Sequence, residues 1–460
     1  MMKKKLFLIL ILLISLFLLR LPSLFEPYWY GDEGITLTVG QQLNRGLILY
    51  KEVVDNKTPL LYFFAAKMIT LFNFKLLTLF WVLVTFLFFL KIVSLFTPEN
   101  EILVSLIFIF LTSTPILEGN IVNGEIYGIL PMMVSIYFFW QKFYFLSGLF
   151  ACFSFLFKHP FLFDFFSLLT FLIFFDQISL KELVLKISKL IAGFFLPLIL
   201  TIIYFYHQGA LRDFFQQAIL NNLKYISWQT EMIISQGLTL IKTLVFLLLI
   251  SFVSKQKTKI SKKEAFIFLW LLFSLFGATL STRPYPHYLL QIVPSFSLLM
   301  GIALNPIKIF LLILSFAFAV FQFKLNFSSF SYSLRYYQNF LRGNADDFYS
   351  KEVKTTYEIA HFLKKNAGTN EPIFVWSDNT LIYALSQRPP VGKYLAAYHL
   401  TDDPDREQET IKELAAHPPR LIILTLPIEH LFPALASFLK EDYNLLKDNV
   451  DYQIYQRKNF

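Results

Sequence analysis

The chain has 460 residues, of which 56% are hydrophobic and 16% charged, with a formal net charge of +9 and a mean hydropathy of +0.55. Near-continuous apolar segments recur over the first 324 positions, which excludes an ordinary soluble protein and predicts a multi-pass α-helical membrane protein. The 16 glycines argue against glycine-rich phosphate loops, and the single Cys152 excludes an internal disulfide. The positive charge suits the positive-inside rule better than nucleic-acid binding.

The chain begins with a membrane segment that we expect to remain uncleaved. Lys3, Lys4 and Lys5 precede an apolar run at 6–19, and no small-x-small cleavage site follows it. This pattern favours a first transmembrane helix over a cleaved signal peptide. The basic cluster predicts a cytoplasmic N-terminus.

Residues 24–73 are predicted to form a long first loop on the outer face of the membrane. Ile35, Val39 and Leu43 recur at every fourth position, which is typical of an amphipathic helix lying at the interface. Asp32 is expected to cap this helix and Gly46 to end it. The apolar piece 59–73 begins with a proline suited to a first helical turn, and we interpret it as a juxtamembrane helix.

Further transmembrane helices are predicted along the next 250 positions or so, which with the first gives about eleven. They lie near 75–96, 101–117, 123–140, 143–157, 160–176, 187–207, 238–254, 265–281, 286–303 and 306–324. An odd number places residue 325 onward outside. The lysines at 142, 181–189 and 255–263 then lie in the cytoplasm, as the positive-inside rule requires.

From residue 345 the composition changes to that of a small α/β domain. Helix-like stretches at 352–366, 405–416 and 429–441 alternate with strand-like stretches at 372–376, 420–426 and 452–456. We therefore predict three parts: a transmembrane domain over 1–324, a linker over 325–344 and an extracytoplasmic α/β domain over 345–460.

Two carboxylates, Asp32 and Glu33, follow the first helix. Consecutive helical positions point about 100° apart, so these carboxylates should bind different partners. They fit either a general base with a structural or metal-binding neighbour, or a helix cap with a solvated neighbour. Asp55 stands two residues before Lys57, which fits a lysine held for an anionic headgroup or an ordinary polar loop.

A second group of polar residues is predicted on the same outer face. Asn123 and Glu125 open one span, and Lys158 separates two others. They fit either substrate contacts or helix capping and a snorkelling lysine. No His/Cys cluster has metal-ligand spacing, so a divalent metal would have to be bound by Asp32, Glu33 or Glu125.

A third group is Arg283, His287 and Tyr288, at the mouth of two predicted spans. An arginine and a histidine at this position fit a clamp for a phosphate. The alternative is an aromatic belt at the membrane interface.

The order of these motifs resembles that of a known family. A DE pair at 32–33, G-x-x-x-Y at 46–50, D-x-K-x-P-L-x-Y at 55–62, N-x-E at 123–125 and R-x-x-P-H-Y at 283–288 occur in this order. This is similar to bacterial polyprenyl-phosphate-sugar glycosyltransferases of the GT-C fold, relatives of protein O-mannosyltransferases and aminoarabinose transferases. The stretch PIFVWSDNTLIYALSQRPP at 372–390 looks like their outer domain. This chain departs at His159, often glutamine in the family, and at Thr58, often proline.

The resemblance implies inverting transfer of a sugar from a polyprenyl-phosphate donor to a glycan, lipid or protein acceptor at the outer face of the cell membrane. By the same resemblance, Asp32 would be the general base, with Glu33 beside it in the catalytic pair. The donor phosphate would contact Lys57, Arg283, Lys158 and His287. Substrate-orienting residues would be Asp55, Asn123, Glu125 and Tyr288.

Two other classes of protein remain open from the sequence. A transporter of an anionic or lipid-linked substrate would also be a multi-pass helical protein, but transporters place ionisable residues near the bilayer midplane and often contain internal repeats. A non-catalytic surface protein would tolerate neutral substitutions at Asp32, Lys57 and Arg283. Substrate counterflow without a covalent product would favour the transporter.

Overall fold

The computed structural model describes residues 2–25, 27–176, 178–223, 261–281, 285–302, 337–339, 341–343, 350–400, 403–428 and 430–458. The main helices of this part of the chain are α1 (Met2–Arg20), α2 (Gly31–Asn44), α3 (Pro59–Ala65), α4 (Leu71–Phe96), α5 (Glu101–Ser113), α6 (Gly124–Trp140), α7 (Tyr144–Phe157), α8 (Phe161–Phe174), α9 (Leu180–His207), α10 (Lys262–Ala278), α11 (Val293–Ile302), α12 (Lys351–Asn366), α13 (Leu381–Ser386), α14 (Pro404–Ala416) and α15 (Pro433–Asp442). Shorter helical turns lie at Pro22–Phe25, Pro98–Asn100, Pro115–Leu117, Leu211–Phe214, Phe215–Leu220, Asn221–Leu223, Pro286–Ile292 and Ala397–His399.

The strands form one four-stranded sheet in the order β1-β2-β4-β3. They are β1 (Ile373–Trp376), β2 (Leu421–Thr425), β3 (Tyr443–Asp448) and β4 (Tyr452–Arg457). β1 pairs with β2 in parallel, whereas the β2–β4 and β3–β4 pairs are antiparallel. Apolar clusters line the sheet, one of them including Val54 from the first loop.

The chain divides into two compact units that do not follow simple sequence order. The helical unit comprises Met1–Leu24, Leu76–Tyr204 and Asn221–Gln338. The mixed unit comprises Phe25–Lys75, Phe205–Leu220 and Asn339–Phe460. The first loop therefore belongs to the same compact unit as the sheet.

Small residues let the helices of the helical unit pack closely. A Cβ on Gly148 of α7 would collide with the carbonyl oxygen of Leu190 on α9, and a Cβ on Gly193 of α9 would collide with the carbonyl oxygen of Phe145. Ser154 of α7 donates a hydrogen bond of 2.7 Å to the carbonyl of Gly128 on α6. Close backbone approach and hydroxyl hydrogen bonds are the usual means of helix association in lipid.

Three helical stretches in the described part are long and apolar enough to cross a bilayer: Lys3–Phe25, Leu71–Phe96 and Leu180–His207. Gly124–Trp140, Tyr144–Phe157 and Phe161–Phe174 are apolar but shorter. Large apolar side chains stay exposed on the long helices, as at Phe80 and Leu200. A lipid-facing surface has this character, because hydrocarbon tails solvate such side chains.

Most predicted spans coincide with helices, with a few differences. The predicted spans 238–254 and 306–324 lie outside the described residues, as does most of the predicted linker, so the number eleven stays a prediction. The predicted span 286–303 is a 3₁₀ turn followed by α11. The piece 59–73 is broken after Ala65, and seven residues of helix rise only about 10 Å, too little to cross a bilayer.

The prediction for the helix at residue 31 is wrong in two respects. Tyr30 is the N-cap, and Asp32 lies inside the first turn instead of capping it. The helix is also buried on all sides from Glu33 to Gly40, so over this stretch it is not amphipathic. The reason is that protein covers both flanks: a Cβ on Gly34 would meet Leu381 of α13, and one on Gly40 would meet Ala65 of α3.

The C-terminal pattern of helices and strands agrees with the prediction in six elements. The helix expected at 429–441 begins at Pro433. The sequence reading missed α13 and β3. β3 was not predicted because its residues after Tyr443 are exposed, so the strand lacks the buried apolar run that indicates a strand.

Candidate functional site

Asp32 and Lys57 form an ion pair that solvent can reach in the mixed unit. The first turn of α2 presents Asp32, and the loop before α3 presents Lys57. Lys57 Nζ lies 3.5 Å from Asp32 Oδ2, and the side chains are 17% and 43% exposed respectively. This distance is longer than a charge-assisted hydrogen bond, so the two side chains form an ion pair without a short direct hydrogen bond.

Asp55 supports Lys57 from the buried side. Its Oδ2 lies 3.5 Å from Lys57 Nζ, and the side chain is only 2% exposed. It accepts hydrogen bonds from the Tyr62 hydroxyl at 2.6 Å and from the backbone N–H of Asn56 at 2.8 Å. Burial alone would raise the pKa of Asp55, but the Lys57 charge, the nearby His399 side chain and the hydrogen bond from Tyr62 outweigh it, so this pKa lies well below its usual range.

Two buried tyrosines fix the loop that carries Lys57. Tyr50 donates a hydrogen bond of 2.7 Å from its hydroxyl to the carbonyl oxygen of Lys57. The Tyr62 hydroxyl accepts from the Lys57 backbone N–H at 3.2 Å. Burial and the nearby Asp55 charge raise the pKa of both phenols, so they remain protonated donors.

Glu33 faces a different partner from Asp32, as their angular separation predicts. Its carboxylate lies 3.0 Å from Lys75 Nζ, and the two side chains are 1% and 2% exposed. The Lys75 ammonium also lies over the Tyr28 ring, 5.5 Å from its centroid. Separating the two side chains would leave an uncompensated buried charge, which is energetically costly. The pair therefore links α2 to the start of α4.

The helical unit contains a separate cluster around Glu125. The Asn123 side chain caps α6 by accepting a hydrogen bond of 2.8 Å from Ile126 N–H. Lys158 Nζ lies 3.0 Å from Glu125 Oε1 and 5.2 Å from the centroid of the Tyr288 ring. The Glu125–Lys158 contact lacks hydrogen-bond geometry, and within the described residues neither carboxylate oxygen of Glu125 accepts a hydrogen bond.

His287 and Glu118 form a second pair in this unit. His287 Nδ1 lies 2.6 Å from Glu118 Oε2, and the histidine side chain is 3% exposed. Glu118 holds this position from a left-handed backbone conformation with φ of 53°. The predicted phosphate ligands Lys158 and His287 are therefore each paired with a carboxylate, and the predicted Arg283 lies outside the described residues.

Sequence reasoning missed several polar residues whose partners lie far away in the sequence. Lys75 was not selected because it lies within an apolar run. His399 was not selected because no recognisable motif surrounds it. Asp164 was also missed: it is buried in α8 and accepts hydrogen bonds from Trp270 and Ser274 of α10 at 2.6 and 2.7 Å. An acidic residue inside an apolar helix was the available signal for Asp164.

No metal-binding group is evident where the structure is described. Within those residues, no three His, Cys, Asp or Glu side chains converge as ligands. Of the residues predicted for a metal, Glu33 contacts Lys75 and Glu125 contacts Lys158.

Comparison with known proteins gives the fold. No curated protein matches the chain by sequence. Residues 353–458, less than half of the chain, match the family described as "Putative competence-induced protein Ccs4 C-terminal domain". The whole structure is similar to the crystal structure of ArnT from Cupriavidus metallidurans bound to undecaprenyl phosphate, with a TM-score of 0.62 and 9% identity, over 99% of this chain and 98% of that one. With its apolar helices, the chain is therefore a multi-pass α-helical membrane protein with a GT-C-like fold.

Proposed function

We propose that this protein is a membrane glycosyltransferase that moves a sugar from a polyprenyl-phosphate donor to an acceptor at the extracytoplasmic face, with inversion at the anomeric carbon. The observation that carries the proposal is the partly exposed Asp32–Lys57 pair on a GT-C-like fold. A carboxylate beside an ammonium supplies the two groups that such a transfer requires, a proton acceptor and a cation for the leaving phosphate.

Asp32 is the proposed general base. The acceptor oxygen attacks the anomeric carbon, its proton passes to the Asp32 carboxylate, and the bond from that carbon to the phosphate oxygen breaks with its electron pair on the phosphate. General bases contribute about 10²–10⁴-fold to such reactions. At 43% exposure, Asp32 is open to an acceptor in a way that the buried Glu33 is not.

Lys57 is the proposed phosphate ligand. The leaving group changes from a phosphodiester monoanion to a phosphate monoester dianion, so a fixed cation gains more attraction in the transition state than in the ground state. Asp55 and the two tyrosines position Lys57, whose ammonium lies 3.5 Å from each of the Asp32 and Asp55 carboxylates. One such contact is typically worth roughly 10²-fold in rate.

The remaining candidates receive narrower proposed roles. Glu33 orients α2 through Lys75 instead of touching the sugar, and Asn123 holds the start of α6. Lys158 now pairs with Glu125, and His287 pairs with Glu118. We propose that Glu125, Lys158, His287 and the neighbouring Tyr288 contact substrate once a ligand displaces these pairs. Arg283 remains a proposed donor-phosphate ligand.

The solved neighbour supports the donor class. ArnT is described with undecaprenyl phosphate bound, a lipid with a polyprenyl tail and a phosphate headgroup. A donor of this kind keeps its tail in the bilayer, which suits an active site on a membrane protein whose charged residues stand beside apolar helices.

The direct test is to incubate the purified protein with a panel of polyprenyl-phosphate sugars and to detect free polyprenyl phosphate together with transferred or hydrolysed sugar. We expect turnover with at least one sugar. Absence of turnover across the panel, with counterflow of the lipid-linked compound in proteoliposomes, would instead identify a transporter.

A further inference from the structure

A histidine from the C-terminal segment lies beside Asp55, the buried carboxylate that contacts Lys57. His399 Nε2 is 3.6 Å from Asp55 Oδ1, on the side of the carboxylate away from Tyr62 and Lys57. The His399 side chain is only 10% exposed. Within the described residues, neither ring nitrogen has a partner at hydrogen-bond distance. A buried imidazole with unsatisfied nitrogens beside a carboxylate calls for an explanation.

The backbone around His399 is fixed from several sides. Ala397 N–H donates to the carbonyl of Ser377 at 3.0 Å, and Tyr398 N–H donates to Asp378 Oδ1 at 2.8 Å, both just past the end of β1. Arg406 of α14 donates to the His399 carbonyl at 2.8 Å. The backbone that carries the His399 imidazole is therefore held in place by the fold.

The loop that carries Asp55 is bound to the same segment. Val54 N–H donates to the carbonyl of Lys393 at 2.9 Å, and Val54 forms a parallel bridge with Tyr394. Asp55 and His399 thus approach each other from two backbone segments that hydrogen-bond directly. If the imidazole turned so that His399 Nε2 moved a few tenths of an ångström toward Asp55 Oδ1, the two atoms would reach hydrogen-bond distance.

We propose that His399 is a positioning residue that donates an N–H to Asp55 and thereby keeps the Lys57 ammonium available for an anionic phosphate ligand. Asp55 competes with any such ligand for Lys57, because its Oδ2 is 3.5 Å from Nζ. A donor on the other carboxylate oxygen draws charge away from that contact. The role of His399 toward Asp55 is independent of the proposed function, whereas the class of ligand rests on that function.

The first measurement is the chemical reactivity of Lys57, which needs no substrate. The rate at which an amine-acylating reagent labels Lys57 is measured by mass spectrometry in the full-length protein. In His399→Phe, Asp55 should pair more strongly with Lys57 and favour its ammonium form, so labelling should slow by roughly three- to tenfold. His399→Gln, which keeps an N–H donor, should label within about twofold of wild type.

Controls separate positioning from general damage to the fold. His417→Phe alters a histidine that is 73% exposed in the same segment and should leave Lys57 labelling unchanged. In an Asp55→Asn background, His399→Phe should have no further effect, because the group it acts on is gone. Equal labelling of wild type and His399→Phe, an effect that persists in the Asp55→Asn background, or His399→Gln behaving like His399→Phe would each overturn the inference.

The second measurement is binding of undecaprenyl phosphate in detergent. We expect His399→Phe to weaken its Kd by about tenfold, the scale of one charge-assisted hydrogen bond, and His399→Gln to restore it. If wild type binds no polyprenyl phosphate while Lys57 labelling still depends on His399, the proposed function fails and the positioning role stands. Slow labelling with unchanged Kd would overturn the part of the inference that concerns the ligand.

Discussion

At the scale of single residues, adjacent carboxylates have opposite environments. Asp32 is 43% exposed beside Lys57, whereas Glu33 is 1% exposed against Lys75. The difference follows from the helical rotation of about 100° per residue, which turns one carboxylate outward and the next into the protein. An exposed carboxylate suits proton transfer, and a buried, paired one suits structural support.

Asp32→Asn should lower sugar transfer by about 10³-fold or more, because the amide cannot accept the acceptor proton. Binding of the polyprenyl-phosphate donor and the thermal unfolding temperature should change little. Asp405→Asn is a matched control, since Asp405 also lies in the first turn of a helix and is exposed. Transfer by Asp32→Asn at the wild-type rate would remove Asp32 as the base.

Asp55 should make the stability of the protein depend on acid pH. Its pKa is lower in the folded than in the unfolded protein, so its contribution is complete above the unfolded value of about 4 and is lost as pH falls toward the folded value. Asp55→Asn should therefore lower the apparent Tm at pH 7, and the difference from wild type should shrink below about pH 4. A difference independent of pH would contradict this account.

At the scale of secondary-structure elements, close backbone contacts hold α2 in place. A Cβ on Gly34 would lie 2.6 Å from the backbone nitrogen of Leu381, and one on Gly40 would lie 2.5 Å from the carbonyl carbon of Ala65. Both obstacles are backbone atoms, which cannot rotate away as a side chain can. The small residues of α2 thus decide how closely the Asp32-bearing helix approaches α13 and α3.

Gly34→Ala should destabilise the protein by roughly 1–3 kcal/mol, since an added methyl group forces α2 away from α13. Gly31→Ala is the internal control, because nothing lies within 4 Å of a Cβ at Gly31. Thermal unfolding of the two variants in one detergent makes the comparison. The packing argument fails if both variants unfold at the wild-type temperature.

At the scale of the whole molecule, the chain is a multi-pass membrane protein in which the first loop and the C-terminal segment share one compact unit. Its predicted orientation follows from the lysine-rich loops, which the positive-inside rule places in the cytoplasm. The C-terminal segment and the Asp32 loop would then face outward together.

Cysteine labelling of intact cells tests this orientation. In a Cys152→Ser background, Asp405→Cys should react with a membrane-impermeant maleimide from outside the cell, while Lys181→Cys should react only after permeabilisation. Both positions are exposed, and native Cys152 is buried. The reverse pattern of labelling would invert the topology and place Asp32 in the cytoplasm.

The sequence alone determined the class of protein and the local directions of its side chains. Long apolar runs predict helices in lipid because no other local structure satisfies the backbone there. The Asp55–Lys57 spacing predicted their contact because a turn brings such near neighbours together. Likewise, Pro59 in the first turn of α3 follows from the fixed φ of proline.

Only the tertiary structure decided which distant residues complete the site. Lys75 beside Glu33 and His399 beside Asp55 come from segments far away in sequence. Such contacts depend on how α2 packs against α13 and how Val54 pairs with residues 393 and 394. No local pattern encodes these arrangements, because side-chain partners across a fold are chosen by the packing of whole elements.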